Sequence, residues 1–137
     1  MSVVIDSSVT LAWLYSDEIT AETQQVFERV TASRAWVPTL WRLEVANSLQ
    51  MAVRRGRITA QFRDEALIDL ALLNIASDPD TDTFAWSATL RLAEHYKLTL
   101  YDAAYLELAQ RLSLPLATLD QELRAAGVAL GVTLLGL

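Results

Sequence analysis

Four carboxylates in this 137-residue chain stand in apolar company. Asp6 ends the run "VVID", and Asp120 follows "LATL" directly. Glu44 lies within "LWRLEVANSLQM", where its neighbours at helical spacing include Leu40, Trp41, Ser48 and Met51. Asp102, in "LTLYDAAYLELA", shares a helical stripe with Tyr105, Leu106 and Ala109, which leaves Glu107, Gln110 and Arg111 to the other, polar side. Neither Glu44 nor Asp102 has a Lys or Arg three or four residues away. Burying a lone carboxylate costs several kcal/mol or forces it to protonate, so something must compensate. A hard divalent cation does so, because Mg²⁺ or Mn²⁺ prefers oxygen ligands and is shared by a few carboxylates and waters. Each acid also has a structural use. Thr99 and Asp102 match a capping box, Asp120 and Asp6 suit helix N-caps, and Glu44 can meet a distant arginine. Taken alone, the residues leave both uses open.

The elements around these acids alternate. "VVID" (3–6) reads as a strand followed by a helix capped at Ser7 or Ser8, and residues 19–30 as a helix with Thr20 as its cap. "AWVP" (35–38) is a short strand stopped by proline. Residues 40–55 form a largely buried helix ending at Gly56, and another helix covers about 59–73. "NIAS" is a weaker strand, and 84–96 reads as one helix. The stretch around Asp102 is helical, "PLATL" (115–119) is a strand, "DQELRAAG" is a short helix closed by Gly127, and "VTLL" (132–135) is the last strand. Strands apolar throughout and alternating with helices predict an α/β domain, its parallel sheet covered on both faces. Ligands bind outside the carboxyl ends of such strands, where Asp6 and Asp120 fall; if their strands are neighbours, the carboxylates converge.

Composition bounds the alternatives. The length fits one domain, residues 1–137, and 53% hydrophobic with 20% charged residues excludes a disordered chain. A net charge of −6 argues against nucleic-acid binding through a broad basic surface, unless acids cluster around cations and so lose their repulsion for phosphate. With no cysteine there is no disulfide or thiolate metal site, and a reducing cytoplasm is the expected compartment. The start lacks a basic n-region and carries Asp6 in what would be a signal peptide's apolar core, so secretion is not expected. No apolar run approaches the ~18 residues of a membrane span.

"VVIDSSVTLAWLYSDE", "VPTLWRLEVANSL" and "LTLYDAAYLELAQRLSLPLATLDQELRAAG" resemble the PIN-domain ribonucleases, and most closely the VapC toxins of prokaryotic toxin–antitoxin pairs. The resemblance runs through essentially the whole chain. By position, Asp6, Glu44, Asp102 and Asp120 are similar to the family's acidic quartet, Thr118 to its small hydroxyl residue before the last acid, and Ser7 to a polar residue lining the site. It implies a three-layer α/β/α fold with a central parallel sheet ordered 3-2-1-4-5. It further implies Mg²⁺- or Mn²⁺-dependent endonucleolytic cleavage of structured RNA such as tRNA or ribosomal RNA. A homodimer and a cognate VapB-like antitoxin, whose C-terminal segment occupies the active-site groove, are implied as well. On this basis one or two cations held by the quartet would activate water for phosphodiester hydrolysis, with Ser7 and Thr118 orienting a water or a phosphate oxygen.

Arg54, Arg55 and Arg57, in "RRGR", are expected to stabilise a helix C-terminus, grip RNA phosphate or simply be solvated. His95 lies on an ordinary helix and is not expected to be a general base, while Trp13, Trp36, Trp41 and Trp86 are expected in core or interface. Two rival classes are a catalytically silent interaction module and a Mg²⁺-binding phosphoacceptor domain. The latter expects adjacent acids after the first strand and a lysine after the last; Asp6 stands alone and no lysine follows Lys97.

Overall fold

A computed structural model describes residues 1–137. Five short strands form one all-parallel sheet ordered β3-β2-β1-β4-β5, as expected. They are β1 (Val3–Ile5), β2 (Ala35–Val37), β3 (Ile75–Ser77), β4 (Leu116–Ala117) and β5 (Leu134–Leu135). The helices are α1 (Ser7–Leu14), α2 (Ala21–Ala32), α3 (Trp41–Arg54), α4 (Ala60–Ala71), α5 (Thr81–Ala85), α6 (Ala88–Tyr96), α7 (Leu100–Leu112) and α8 (Gln121–Leu130). A flavodoxin-like phosphoacceptor sheet is ordered 2-1-3-4-5, so the topology argues against that rival.

β1 is central and wholly buried, which is why it is β-branched at every position and never alternates with polar residues. It pairs with β4 in the register Val4 to Leu116 and Ile5 to Ala117, and the Asp6 N–H donates to Ala117 O (3.2 Å). That pairing sets Asp6 beside Thr118. α7 packs against β1 and β4 and is buried continuously from Ala103 to Ala109.

Three expectations need correction. The helix predicted over 84–96 is two helices, because Ser87 leaves helical geometry (φ −123°, ψ −98°); of the core or interface places expected for the intervening Trp86, its 90% exposure excludes the core. α8 runs past Gly127 to a left-handed cap at Gly131 (φ +83°). Gly127 serves packing: a Cβ there would lie 2.7 Å from Leu134 Cδ2, so its bare backbone lets α8 close onto β5.

Glu107 is the third. Placed on the polar side by spacing, it is in fact buried, and with Asp78 it brackets Arg111. Arg111 Nη2 donates to Asp78 Oδ2 (2.6 Å), and its Nε donates to Glu107 Oε2 (2.8 Å). The guanidinium also covers the Phe84 ring at 4.6 Å, so one side chain fastens α7 to α5 and the end of β3. Burial pushes the Asp78 carboxyl up, but hydrogen bonds from Arg111 and the Asp80 N–H outweigh it and hold the group below its usual 3.8. Arg111→Met should therefore destabilise the fold by about 3 to 5 kcal/mol in urea unfolding, the typical cost of leaving buried charge unpaired. A loss under ~1 kcal/mol would show the triad to be incidental.

Candidate active site

Asp6 leaves β1 in extended geometry (φ −100°, ψ 178°) and caps α1. Its Oδ1 accepts from Val9 N–H (3.2 Å) and from the Ser8 hydroxyl (2.6 Å), and its Oδ2 from the Thr118 hydroxyl. Thr118, fully buried after β4, also accepts from Asp120 N–H (3.0 Å). One hydroxyl thus connects the first acid to the last. Asp120 caps α8, its Oδ1 accepting from Leu123 N–H (2.8 Å). The two structural caps foreseen for these acids are real, and they aim the carboxylates as well as ending the helices.

Asp102 lies in the first turn of α7, where Thr99 Oγ1 accepts its N–H (3.1 Å) and holds that turn. Glu44 lies in the first turn of α3 and accepts from the Tyr105 hydroxyl through Oε1 (2.5 Å). No arginine reaches it, unlike the structural alternative. Trp41 Nε1 donates to Thr10 Oγ1 (3.0 Å), and Thr10 donates to Asp6 O (2.9 Å), so the start of α3 is tied to α1 beside the site.

Electrostatics join the four acids. Burial pushes the Asp6 carboxyl up; hydrogen bonds from Ser8, Thr118 and Val9 pull the other way, and the charge of Asp120 adds to the rise. Burial also raises Glu44, opposed by its bond from Tyr105 and reinforced by Asp102 and Asp6. Asp102 is raised by burial first, then by Asp120 and Asp6. Burial, with the bond to Glu44 next, pushes the Tyr105 phenol far above its ordinary value, so it stays a donor. The quartet is therefore one electrostatic unit drawn from β1, α3, α7 and the start of α8.

Not every predicted residue joins it. Ser7 opens α1, but Ser8, one residue on, binds Asp6 and also accepts Leu119 N–H (2.9 Å). Thr118, expected to orient a water or a phosphate oxygen, gives its proton to Asp6 and so holds that carboxylate in place. Arg54, Arg55 and Arg57 lie at the far end of α3 or beyond it, roughly 15 Å along the helix axis from Glu44. Arg57 is paired with Glu18 (2.7 Å) and lies 4.0 Å over the Tyr15 ring. His95 is exposed on α6. One acid went unread: Glu122, in the first turn of α8, adds its charge to Asp102. Its position two residues after Asp120 was the only available signal.

The donor set is oxygen only, which suits a hard divalent cation. No three acids converge as a ready-made cage. Asp6, Glu44 and Asp120 each have an oxygen turned to a protein donor, Ser8 and Thr118 for Asp6, Tyr105 for Glu44 and Leu123 N–H for Asp120. This fits an ion that keeps several waters, as Mg²⁺ does, better than one fully enclosed by protein.

Comparison with known proteins places the chain in a family. The PIN domain family model matches residues 3–129. Ribonuclease VapC9 of Mycobacterium tuberculosis is 31% identical over 127 residues, 93% of this chain and 92% of that protein. Among solved structures, PAE2754 from Pyrobaculum aerophilum superposes with a TM-score of 0.65 at 25% identity, covering 92% of this chain and 79% of its own. VapBC2 from Rickettsia felis, bound to a DNA fragment from its promoter, reaches 0.64 at 10% identity over 98% and 97%, a likeness of fold. With sheet order and sequence similarity in agreement along nearly the whole chain, the protein belongs to the PIN-domain family, with VapC ribonucleases among its relatives.

Proposed function

We propose that this chain is a Mg²⁺- or Mn²⁺-dependent endoribonuclease, the toxin of a type II toxin–antitoxin pair, acting on structured RNA such as tRNA or ribosomal RNA. The observation that carries the proposal is the electrostatic coupling of Asp6, Glu44, Asp102 and Asp120, four carboxylates with no cationic side chain among their hydrogen-bond partners. Asp6 and Asp102 would hold the cation, with Asp120 and Glu44 as direct or water-mediated partners. Bound there, the cation supplies charge neutralisation at the scissile phosphate and acidifies a water molecule. Ser8 and Thr118 keep Asp6 aimed, and Thr99 keeps the turn of Asp102 rigid. The donor set accommodates one ion or two. A homodimer and a VapB-like antitoxin covering the groove complete the proposal. The antitoxin is supported by the VapC relatives and by the fold shared with VapBC2.

Asp102→Asn keeps size and removes charge. It should cost cleavage of a total tRNA or ribosomal RNA pool more than the ~100-fold lost when a metal ligand's outer partner is removed, with circular dichroism unchanged. Undiminished Mg²⁺-dependent cleavage by this variant would sink the assignment, and cleavage that survives EDTA would remove the metal.

Stability gives a test without RNA. Mn²⁺ at 100 times its Kd should add about 2.7 kcal/mol of stability and raise Tm, since it binds only the folded state. No shift at saturating Mn²⁺ would count against the cluster. In EDTA, pH should act with a definite sign. Asp6, Glu44 and Asp102 have folded-state pKa values raised above the ordinary 3.8 and 4.5, so the native protein binds more protons than the unfolded chain and stability falls as pH rises above about 4.5. Asp78, shifted downward, acts only below 3.8 and does not confuse that window. Urea midpoints that climb between pH 5 and 7 in EDTA, at ~pH spacing fine enough to resolve the carboxylate range, would contradict the coupling.

A further inference from the structure

We infer that Tyr105 is the positioning residue of Glu44: its hydroxyl ties one carboxylate oxygen to the protein and leaves the other to face the acidic site. The inference deepens the proposed function and rests on its metal site.

Three observations carry it. Asp6 and Asp120 are each anchored by N–H groups of the helices they cap, from Val9 and Leu123. Asp102 sits on a turn fastened by Thr99. Glu44 has neither aid: the N-cap position of α3 is Leu40, with no side-chain cap, and glutamate has one more rotatable bond than aspartate. The hydroxyl of Tyr105 is its hydrogen-bond partner.

That hydroxyl is also well fixed. The Tyr105 residue is 1% exposed in the core, and α7 is buried continuously around it. Spacing places it one turn beyond Asp102 on the same helix, so α7 presents one acid itself and holds a second, from α3, by its oxygen. A phenylalanine would fill the same space, which leaves the bond to Glu44 as the structural use of the phenol's polar atom. Through it, any movement of α7 carries both carboxylates together.

The test is calorimetric titration of the metal-free, full-length protein with Mn²⁺ and no RNA. Tyr105→Phe should weaken Mn²⁺ binding about 10- to 100-fold, the range seen when partners of metal ligands are removed, with near-UV circular dichroism retained. In a Glu44→Gln background the same substitution should change nothing further. A purely packing role would leave an equal effect in both backgrounds and overturn the inference. Glu44→Asp, which keeps the charge but draws the carboxylate back from the phenol, should lose affinity like Tyr105→Phe; wild-type affinity in that variant would also overturn it. If wild-type protein fails to bind Mn²⁺, the metal site falls and this inference with it. If wild type binds and Tyr105→Phe binds equally well, only this inference falls.

Discussion

The hydroxyl of Thr118 is the point on which the site's geometry depends. It gives its proton to Asp6 and receives one from the backbone of Asp120, in a place from which water is excluded. A group so placed must satisfy both bonds or carry a desolvation cost of a few kcal/mol, so the relation between the two acids is fixed as firmly as the sheet itself. The parallel pairing of β1 with β4 brings the three residues together. Ser8 repeats the arrangement from the other side, bridging Asp6 to Leu119 N–H.

Around this joint the protein balances opposed demands. Burial makes Asp6, Glu44 and Asp102 costly to ionise and repulsion between acids adds to the cost, while a helix N–H group, side-chain hydroxyls and a phenol offset part of it. The apolar body of α7 supplies rigidity. Its other charged pair, Glu107 and Arg111, is satisfied by Asp78 and does not compete for the quartet. Charge is thus divided along one helix: acids paired with Arg111 towards its end and an acid with no cationic partner at its start.

Much of this was legible in the sequence. Strand and helix alternation predicted the sheet, and Asp102 and Glu44 were conspicuous because no local cation accounted for them. What could not be read depended on partners distant along the chain. Glu107 and Arg111 looked like an ordinary solvent-facing pair because the acid that joins them, Asp78, lies 33 residues from Arg111. Ser8 displaced Ser7 because the start of α1 decides which hydroxyl turns back to Asp6, and spacing does not resolve a single residue at a helix end. Thr118 was noticed for its position, but the direction of its proton follows from a neighbour 112 residues away. The bond from Tyr105 to Glu44 spans 61 residues and left no trace in local pattern.

The far edge of the sheet has a bearing on how firmly the site is held. Thr118 N–H donates to Leu135 O on β5 (3.2 Å), and Arg124 on α8 donates to the carbonyls of both Thr118 (2.7 Å) and Leu135 (3.0 Å). Gly136 then lies against the Thr118 backbone. The backing of the Thr118 joint is therefore shared by α8 and β5, neither of which contains the threonine itself. A loosened β5 would thus be felt at Asp6, two strands away, through a single threonine side chain.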